Sequence, residues 1–123
     1  MLKVNQMVDL SSHAVDRVFH ALADATRRQM LGRLTQGEAS VSELADPFDM
    51  SLAAASKHVK VLASAELIHI EKRGRTRICN LRPGGLRQAS AIIKHYERFW
   101  TGRLDALDGH LKKEARQKDK DHE

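Results

Sequence analysis

The chain of 123 residues has very little cysteine and no long apolar stretch. Cys79 is its one cysteine, so an intramolecular disulfide is excluded and a reducing compartment is favoured. No apolar run approaches the ~20 residues of a membrane-spanning helix, and the N-terminal residues lack the apolar core of a secretory signal peptide. We therefore expect a cytoplasmic protein that does not associate with membranes.

Aromatic residues make up only 4% of the chain, and none lies between Met50 and Arg82, where positive charge is concentrated. Stacking platforms for single-stranded RNA are therefore missing from the place where they would be needed. The sequence also has no glycine-rich phosphate loop and no nucleophile elbow. These absences argue against an enzyme and against a bound cofactor.

Histidine and cysteine are present but isolated. The seven histidines are scattered, so their spacing predicts no metal site. His58 is expected at the boundary between the buried and exposed sides of its helix, with a base contact as the alternative. Cys79 has no second thiol to pair with, and we interpret it as a packed strand residue rather than a redox sensor.

Positive charge is concentrated in one segment, Met50 to Arg82. Seven Lys or Arg residues and two Glu residues give this segment a net charge of +5, equal to the net charge of the whole chain. Such a balance suits a polyanionic partner. Two partners fit it, namely duplex DNA and an acidic protein surface.

The first half of this segment predicts a slim helix with Ser51 as its N-cap. Apolar residues at spacings of three and four define a buried side, formed by Leu52, Ala55, Val59 and Leu62. The opposite side is small, polar or cationic and suits a DNA major groove. The residues predicted to face base edges are Leu52, Ala53, Ser56 and Lys57, and Lys60 is predicted to anchor a phosphate.

The second half predicts a β-hairpin. Residues Leu67–Lys72 and Thr76–Leu81 alternate as strands do, and Arg73-Gly74-Arg75 is the turn. An arginine-tipped hairpin of this kind contacts phosphates or the minor groove in winged-helix proteins. The alternative is a solvated hairpin whose charges prevent edge-to-edge aggregation. The predicted DNA contacts are Arg73, Arg75 and Arg77.

Three capped helices are predicted before this segment, and Pro47 ends the third because a residue before proline avoids helical geometry. The third helix and the Ser51 helix form a helix-turn-helix. The sequence therefore predicts a mainly α fold, a winged helix-turn-helix with a two-stranded β-wing. The predicted N-caps are Ser11 or Ser12, Asp24, and Ser40 in a capping box with Glu43.

A long terminal dimerisation helix is predicted from about Leu86 to beyond Leu111. Its ~26 residues extend ~39 Å, more than the width of a small domain, so part of its apolar face must meet a second molecule. Alternatively, its aromatic residues cover the first helix of the same subunit. The domain is expected at residues 11–111, between a flexible lead-in (1–10) and a charged, frayed tail (112–123). The predicted homodimer interface is Val15, Phe19, Ile93, Tyr96, Trp100, Leu104, Leu107 and Leu111.

Several segments share their pattern with a known family. They are Ala21–Arg28, the Ser51–Leu62 helix followed by Ala65–Ile68, and the Lys72–Arg75 wing. Together they resemble the ArsR/SmtB family of bacterial winged-helix repressors, and Phe99–Leu107 is similar to a Phe-Trp-x-x-Arg-Leu-Asp-x-Leu signature of one subgroup. The resemblance implies a homodimer built from the first and last helices, operator binding, and repression of its own or a neighbouring gene.

The chain departs from that family at its metal sites and at two backbone positions. Metal-sensing members carry Cys-Val-Cys before the recognition helix, where this chain reads Ser40-Val41-Ser42. Another family site uses clustered histidines on the last helix, whereas His95 and His110 are fifteen residues apart. Ala25 stands where proline is usual, and Glu66 where alanine-glycine is frequent. We therefore predict a regulator that does not respond to metals.

The sequence thus predicts a homodimeric, sequence-specific DNA-binding regulator that represses transcription from an inverted-repeat operator. An unknown organic inducer or a partner acting at the dimer interface is the expected trigger for release, if release has one. The alternative function is a winged-helix interaction module that docks an acidic protein. Binding to duplex DNA with a steep salt dependence separates the two functions.

Overall fold

The computed structural model describes residues 9–121, so most of the predicted lead-in at residues 1–10 lies outside the described residues. Within this range the chain folds as the predicted, mainly helical winged helix-turn-helix. The helices are α1 (His13–Leu22), α2 (Ala25–Leu34), α3 (Val41–Ala45), α4 (Leu52–Ser64) and α5 (Gly84–Asp121). The strands are β1 (Ala39–Ser40), β2 (Ile68–Arg73) and β3 (Thr76–Leu81).

Side-chain caps fix where helices α1 to α4 begin. Each cap accepts a hydrogen bond from the backbone N–H three residues later, which satisfies a donor left free in the first turn. At α3 the arrangement is reciprocal, because the Ser40 N–H donates to Glu43 Oε1 at 3.1 Å. The predicted caps are confirmed as Ser12, Asp24, Ser40 and Ser51.

A Schellman motif ends α4. The Leu67 N–H donates to the Leu62 carbonyl at 3.1 Å, and the Glu66 N–H donates to the Ala63 carbonyl at 3.0 Å. The motif needs a left-handed residue at its centre, and Glu66 occupies that position with φ 58°. Glycine is the usual residue there because a Cβ is strained in this conformation. Glu66 therefore carries backbone strain.

The wing belongs to a three-stranded antiparallel sheet in the order β1-β3-β2. The predicted two-stranded wing is thus one strand short, since β1 pairs with Ile78 and Cys79 of β3. A strand of two residues has no alternation that a sequence pattern can reveal. β2 and β3 pair along their whole length and leave Gly74-Arg75 as a two-residue turn, with Gly74 at φ 61°.

The core lies between helices α1 to α4 and the sheet. Cys79 is fully buried in it, which confirms the interpretation of this residue as a packed strand cysteine. Burial raises the pKa of its thiol and so disfavours the reactive thiolate. The largest fully buried side chains are Met30, Leu44, Leu62, Leu67, Ile68, Val18, Val59 and Cys79.

Helix α5 is anchored at its N-terminal end. Gly85, Ala89 and Ile92 are buried against the rest of the chain. The Gly85 N–H donates to the Glu66 carbonyl at 3.1 Å, and a Cβ at this position would collide with the carbonyl oxygen of Ala65. The start of α5 thus lies directly on the backbone that ends α4.

Beyond this anchor α5 is exposed, from residue 93 to residue 115. The predicted tail at residues 112–123 is helical as far as Asp121, since no proline or glycine interrupts it. Lys112 and Asp108 form an ion pair at 3.1 Å across one turn, and His110 Nε2 lies 3.1 Å from Glu114 Oε1. None of the helices in residues 9–121 is long and apolar enough to cross a membrane.

Candidate DNA-binding surface

Helix α4 presents one exposed face. Its opposite face is held by Ala55, Val59 and Leu62, which are fully buried. Leu52 is 54% exposed, so its prediction as a buried residue is wrong: it lies in the first turn, before the part of α4 that packs on the core. The predicted base-edge residues Leu52, Ala53 and Lys57 and the predicted phosphate anchor Lys60 are all exposed, and Ser56 is half-buried beside them.

Arg27, which sequence reasoning did not single out, fixes the orientation of α4. Its Nε and Nη2 donate to the carbonyls of Ala21 at 2.8 Å and His20 at 3.0 Å, at the end of α1. Its Nη1 lies 3.1 Å from His58 Nδ1 on α4. Because a guanidinium only donates, that nitrogen of His58 must accept. His58 therefore faces the body of the protein, as the boundary interpretation predicts.

Arg73 is held at the base of the wing by two carboxylates. Its guanidinium donates to Glu38 at 2.7 and 2.9 Å and to Glu71 at 3.1 Å. The hydrogen bond from Arg73 lowers the pKa of Glu38, and the same bonds raise the pKa of Arg73. This guanidinium, predicted as a DNA contact, already has its anionic partners inside the chain.

The other two predicted wing arginines differ from each other. Arg75 lies in the exposed turn. Arg77 is half-buried on β3, and its Nη2 donates to the Ser56 Oγ at 2.7 Å. The structure thus joins two predicted DNA-contacting residues, Arg77 and Ser56, to each other. No sequence spacing indicates this bond, because its residues lie on elements separated by β2.

A polar groove lies where the wing meets the helix-turn-helix. It is open to solvent between the start of α3, the first turn of α4 and the turn of the wing. Hydroxyl groups and arginine side chains in one groove can donate hydrogen bonds to phosphate oxygens. Its lining residues are Ser40, Val41, Ser42, Leu52, Arg75, Thr76 and Arg77.

Three exposed cations on this surface are Lys57, Lys60 and Arg75. None of these three side chains has a carboxylate within 4.0 Å in the described part of the chain. Exposed cations without internal partners remain available to a polyanion. The helix and the turn of the wing therefore form one cationic surface.

Metal-binding side chains are not clustered: within residues 9–121, no group of three or more His, Cys, Asp or Glu lies close enough together to share an ion. Ser40 and Ser42 occupy the predicted place of the family's thiolates. The Ser40 hydroxyl accepts from the Glu43 N–H at 3.0 Å and thereby caps α3.

An apolar stripe runs along α5, which we call the α5 seam. Phe19 of α1 is also 40% exposed. Val15, also predicted at the interface, is only 6% exposed, because packing of α1 within its own subunit leaves little of it to bury against a second copy. The α5 seam consists of Ile93, Tyr96, Trp100, Leu104, Leu107 and Leu111, each between 44% and 61% exposed.

Known proteins share this sequence pattern. A family model described as a helix-turn-helix domain matches residues 22–71. The HTH-type transcriptional regulator Rv2034 of Mycobacterium tuberculosis is 42% identical over 89 residues, which are 72% of this chain and 80% of that protein. The transcriptional repressor SdpR of Bacillus subtilis is 33% identical over 60 residues, which are 49% of this chain and 67% of that one.

Solved structures share the fold. The crystal structure of an ArsR family transcriptional regulator has a TM-score of 0.72 and 38% identity, covering 77% of this chain and 97% of that one. The homodimeric winged helix-turn-helix domain of Mb0332 from Mycobacterium bovis has a TM-score of 0.55 and 30% identity. The match covers 70% of this chain and 82% of that one. Fold, exposed recognition helix and sequence likeness agree: the chain belongs to the ArsR family of DNA-binding transcriptional regulators.

Proposed function

We propose that the protein is a homodimeric repressor that binds an inverted-repeat operator and does not respond to metals. The observation that carries the proposal is that a single chain exposes both a cationic surface on α4 and the wing and an apolar seam on α5. The cationic surface suits duplex DNA. The seam suits a second copy of the chain, and both requirements are met when two copies bind one operator.

The α5 seam supports self-association on energetic grounds. Fully burying one large apolar side chain contributes ~1.5–3 kcal/mol, and the seam offers six that are about half exposed. A two-fold interface uses the same patch on both subunits, so each seam residue counts twice. Exposed Phe19 extends the surface onto α1. The winged helix-turn-helix domain of the M. bovis protein is homodimeric, which supports self-association of this chain.

The form of the operator follows from this symmetry. A two-fold dimer carries two copies of α4, and duplex DNA presents the same groove face about every 34–36 Å. Two recognition helices spaced by one DNA turn read two half-sites in opposite orientation. The proposed operator is therefore an inverted repeat.

Roles within each half-site follow from exposure and charge. Leu52, Ala53, Ser56 and Lys57 face the base edges of the major groove. Lys60 and Arg75, which are exposed and have no carboxylate within 4.0 Å among the described residues, bind phosphates. Arg73 contributes chiefly by holding the wing in place through Glu38.

Repression follows when the operator overlaps a promoter, and the B. subtilis relative is itself a transcriptional repressor. The chain carries serines at positions 40 and 42, where thiolates would be needed, so a metal is not the signal that ends repression. An organic ligand or a partner acting at the dimer interface is the trigger that remains. The protein works where its DNA lies, in the cytoplasm.

The test begins with selection of duplexes from a randomised pool, followed by anisotropy titration at several salt concentrations. We expect an inverted repeat, two chains per duplex, and an affinity that falls steeply with salt. A reporter with the selected operator across its promoter should then be repressed. Selection of no preferred duplex, together with tight binding to polyglutamate, would instead support an acidic protein partner.

A further inference from the structure

One hydrogen bond connects the wing with the recognition helix through side chains that face the cationic surface. Arg77 lies on β3 opposite Lys72, and its Nη2 reaches the Ser56 Oγ at 2.7 Å. Both side chains are half-buried, and in the described part of the chain this is the hydrogen bond that the Arg77 guanidinium makes. Because the distance is short and both side chains are partly buried, this hydrogen bond is a defined contact.

This bond restricts what the Ser56 hydroxyl can do. A serine hydroxyl has one O–H donor and two acceptor lone pairs, whereas a guanidinium has donors only. Arg77 therefore occupies a lone pair of Oγ and leaves the O–H to point elsewhere. Helical serines often donate to a carbonyl one turn earlier, but within residues 9–121 the Ser56 O–H has no such acceptor. The cationic neighbour also polarises the hydroxyl and makes it a better donor.

The two arginines of the groove consequently differ in role. Arg75 is exposed in the turn and has no internal partner within the described residues, so its charge is free for a phosphate. The Arg77 guanidinium is hydrogen-bonded to Ser56, and Arg77 lines the same groove as Leu52 of the first turn of α4. Its charge lies against the helix rather than at the tip of the wing.

We propose that Arg77 is a positioning residue that makes Ser56 read the major groove as a hydrogen-bond donor. The inference rests on the proposed function, since it concerns how the operator is recognised. In the major groove guanine N7 and O6, adenine N7 and thymine O4 are acceptors, whereas cytosine presents the N4 donor. On the strand that it contacts, Ser56 therefore selects an acceptor base and rejects cytosine at one position in each half-site.

The experiment compares the base preferences of full-length variants by selection from a randomised duplex pool. The wild-type preference at the base that Ser56 contacts should be about five-fold, the value of one hydrogen bond. Ser56→Ala should abolish this preference at one position per half-site. Arg77→Met keeps the length of the side chain without its donors, and it should relax the preference at that same position. Arg77→Lys keeps a donor and the charge, and it should retain the preference.

Arg75→Met is the matched control, because it removes a cation of the same wing that does not contact Ser56. It should weaken all duplexes by a similar factor and lower the salt slope, with the base preference unchanged. Circular dichroism and thermal unfolding establish that each variant folds. If Arg77→Met does not fold, the wild-type protein is titrated on operators that lack one acceptor at the Ser56-dependent base pair, such as 7-deazapurine in place of N7. An affinity unchanged by the loss of every such acceptor overturns the inference.

Two further outcomes would overturn it. In the first, Arg77→Met keeps the wild-type base preference at the position in the half-site that depends on Ser56. The second is a uniform loss in Arg77→Met that matches Arg75→Met, which would make Arg77 another phosphate contact. These results differ from failure of the proposed function, in which the wild-type protein itself selects no inverted repeat.

Discussion

At the scale of single residues, Glu66 offers the most direct test of the backbone geometry. A non-glycine residue in the left-handed region costs ~1–2 kcal/mol, and glycine there gives back ~0.5–1 kcal/mol as unfolded-state entropy. Glu66→Gly should therefore raise the free energy of unfolding by ~0.5–1 kcal/mol. The exposed pair with Arg82, at 3.9 Å, contributes little. Urea unfolding at one fixed protein concentration measures the change.

Glu66→Ala is the control for this prediction, because it removes the same charge and keeps the Cβ. It should leave the urea midpoint close to that of the wild type. A midpoint raised equally by both substitutions would assign the effect to charge rather than to backbone strain.

Sequence reasoning succeeds at this scale where the interaction is local. The caps at Ser12, Asp24, Ser40 and Ser51 each bond a backbone N–H three residues later, so their signal lies in a few adjacent letters. Arg27 bonds partners six, seven and thirty-one positions away. No local pattern specifies that geometry, and the residue is found only once the helices are packed.

At the scale of elements, the work of α4 can be separated from that of the wing. Lys57 is exposed in the second turn of α4, so Lys57→Ala should cost roughly 1–3 kcal/mol on the operator and relax the preference over random duplex. Arg75→Ala should weaken both duplexes by similar factors and lower the salt slope by ~0.9 for each phosphate that a subunit no longer binds. Anisotropy titration of both variants at several salt concentrations distinguishes the two patterns.

An unchanged operator preference in Lys57→Ala would contradict the placement of α4 in the groove. A different outcome is informative for Arg75. If this side chain enters a narrow minor groove, its removal will discriminate between A·T-rich and G·C-rich flanks.

The base of the wing gives an opposite prediction. Glu38 holds the Arg73 guanidinium with two hydrogen bonds, and Glu38→Gln removes the charge of that partner while keeping its shape. Arg73 then keeps Glu71 as its one carboxylate partner within the described residues and is more available to phosphates. Affinity for random duplex should therefore rise, and the salt slope should steepen by up to ~0.9 per subunit. Titration of random duplex at several salt concentrations checks this. Weaker binding of random duplex at every salt concentration would show that the Glu38–Arg73 pair is itself required for the contacts of the wing with DNA.

Elements with strong local patterns were predictable, and the third strand was not. The hairpin carries alternation and a glycine turn, and α5 carries a regular apolar spacing. β1 contains only Ala39 and Ser40, and it becomes a strand because β3 provides its hydrogen-bond partners. Leu52 fits the helical spacing of the buried side, yet its position in the first turn leaves it exposed.

At the scale of the whole molecule, the α5 seam predicts that folding and assembly are linked. Trp100→Ala with Leu104→Ala removes two side chains that are 61% and 57% exposed in the single chain. The double variant should yield monomers or insoluble protein, because dimerisation stabilises the fold by mass action. Analytical ultracentrifugation measures the state of each protein. A monomeric wild type at micromolar concentration, or an unaltered dimer in the double variant, would refute the seam as an interface.

Metal indifference is a second prediction for the assembled protein. Serine hydroxyls at Ser40 and Ser42 are poor ligands for soft or borderline metal ions, and Ser40 already caps α3. A few equivalents of zinc, cadmium or arsenite should leave operator affinity unchanged in anisotropy titrations. The prediction fails if stoichiometric zinc binds tightly and releases the protein from DNA.

The seam was predictable because an apolar spacing sustained over many turns has no room inside a small domain. The burial of Val15 was not predictable. The same kind of apolar spacing in α1 serves packing within the subunit, and the pattern alone does not say which helix covers it. Its burial became evident only when α1 was placed against α5.

The close backbone contact at Gly85 has a mechanical consequence. At 1.5 Å per residue the 38 residues of α5 extend ~57 Å from this point. The helix is therefore a long arm that is attached beside the end of α4 and projects away from it. Moving its far end by ~5 Å turns it by only ~5° at this attachment, if ~57 Å is the length of a stiff arm. A displacement at the exposed end therefore changes the direction of α5 beside the end of α4 by only a few degrees.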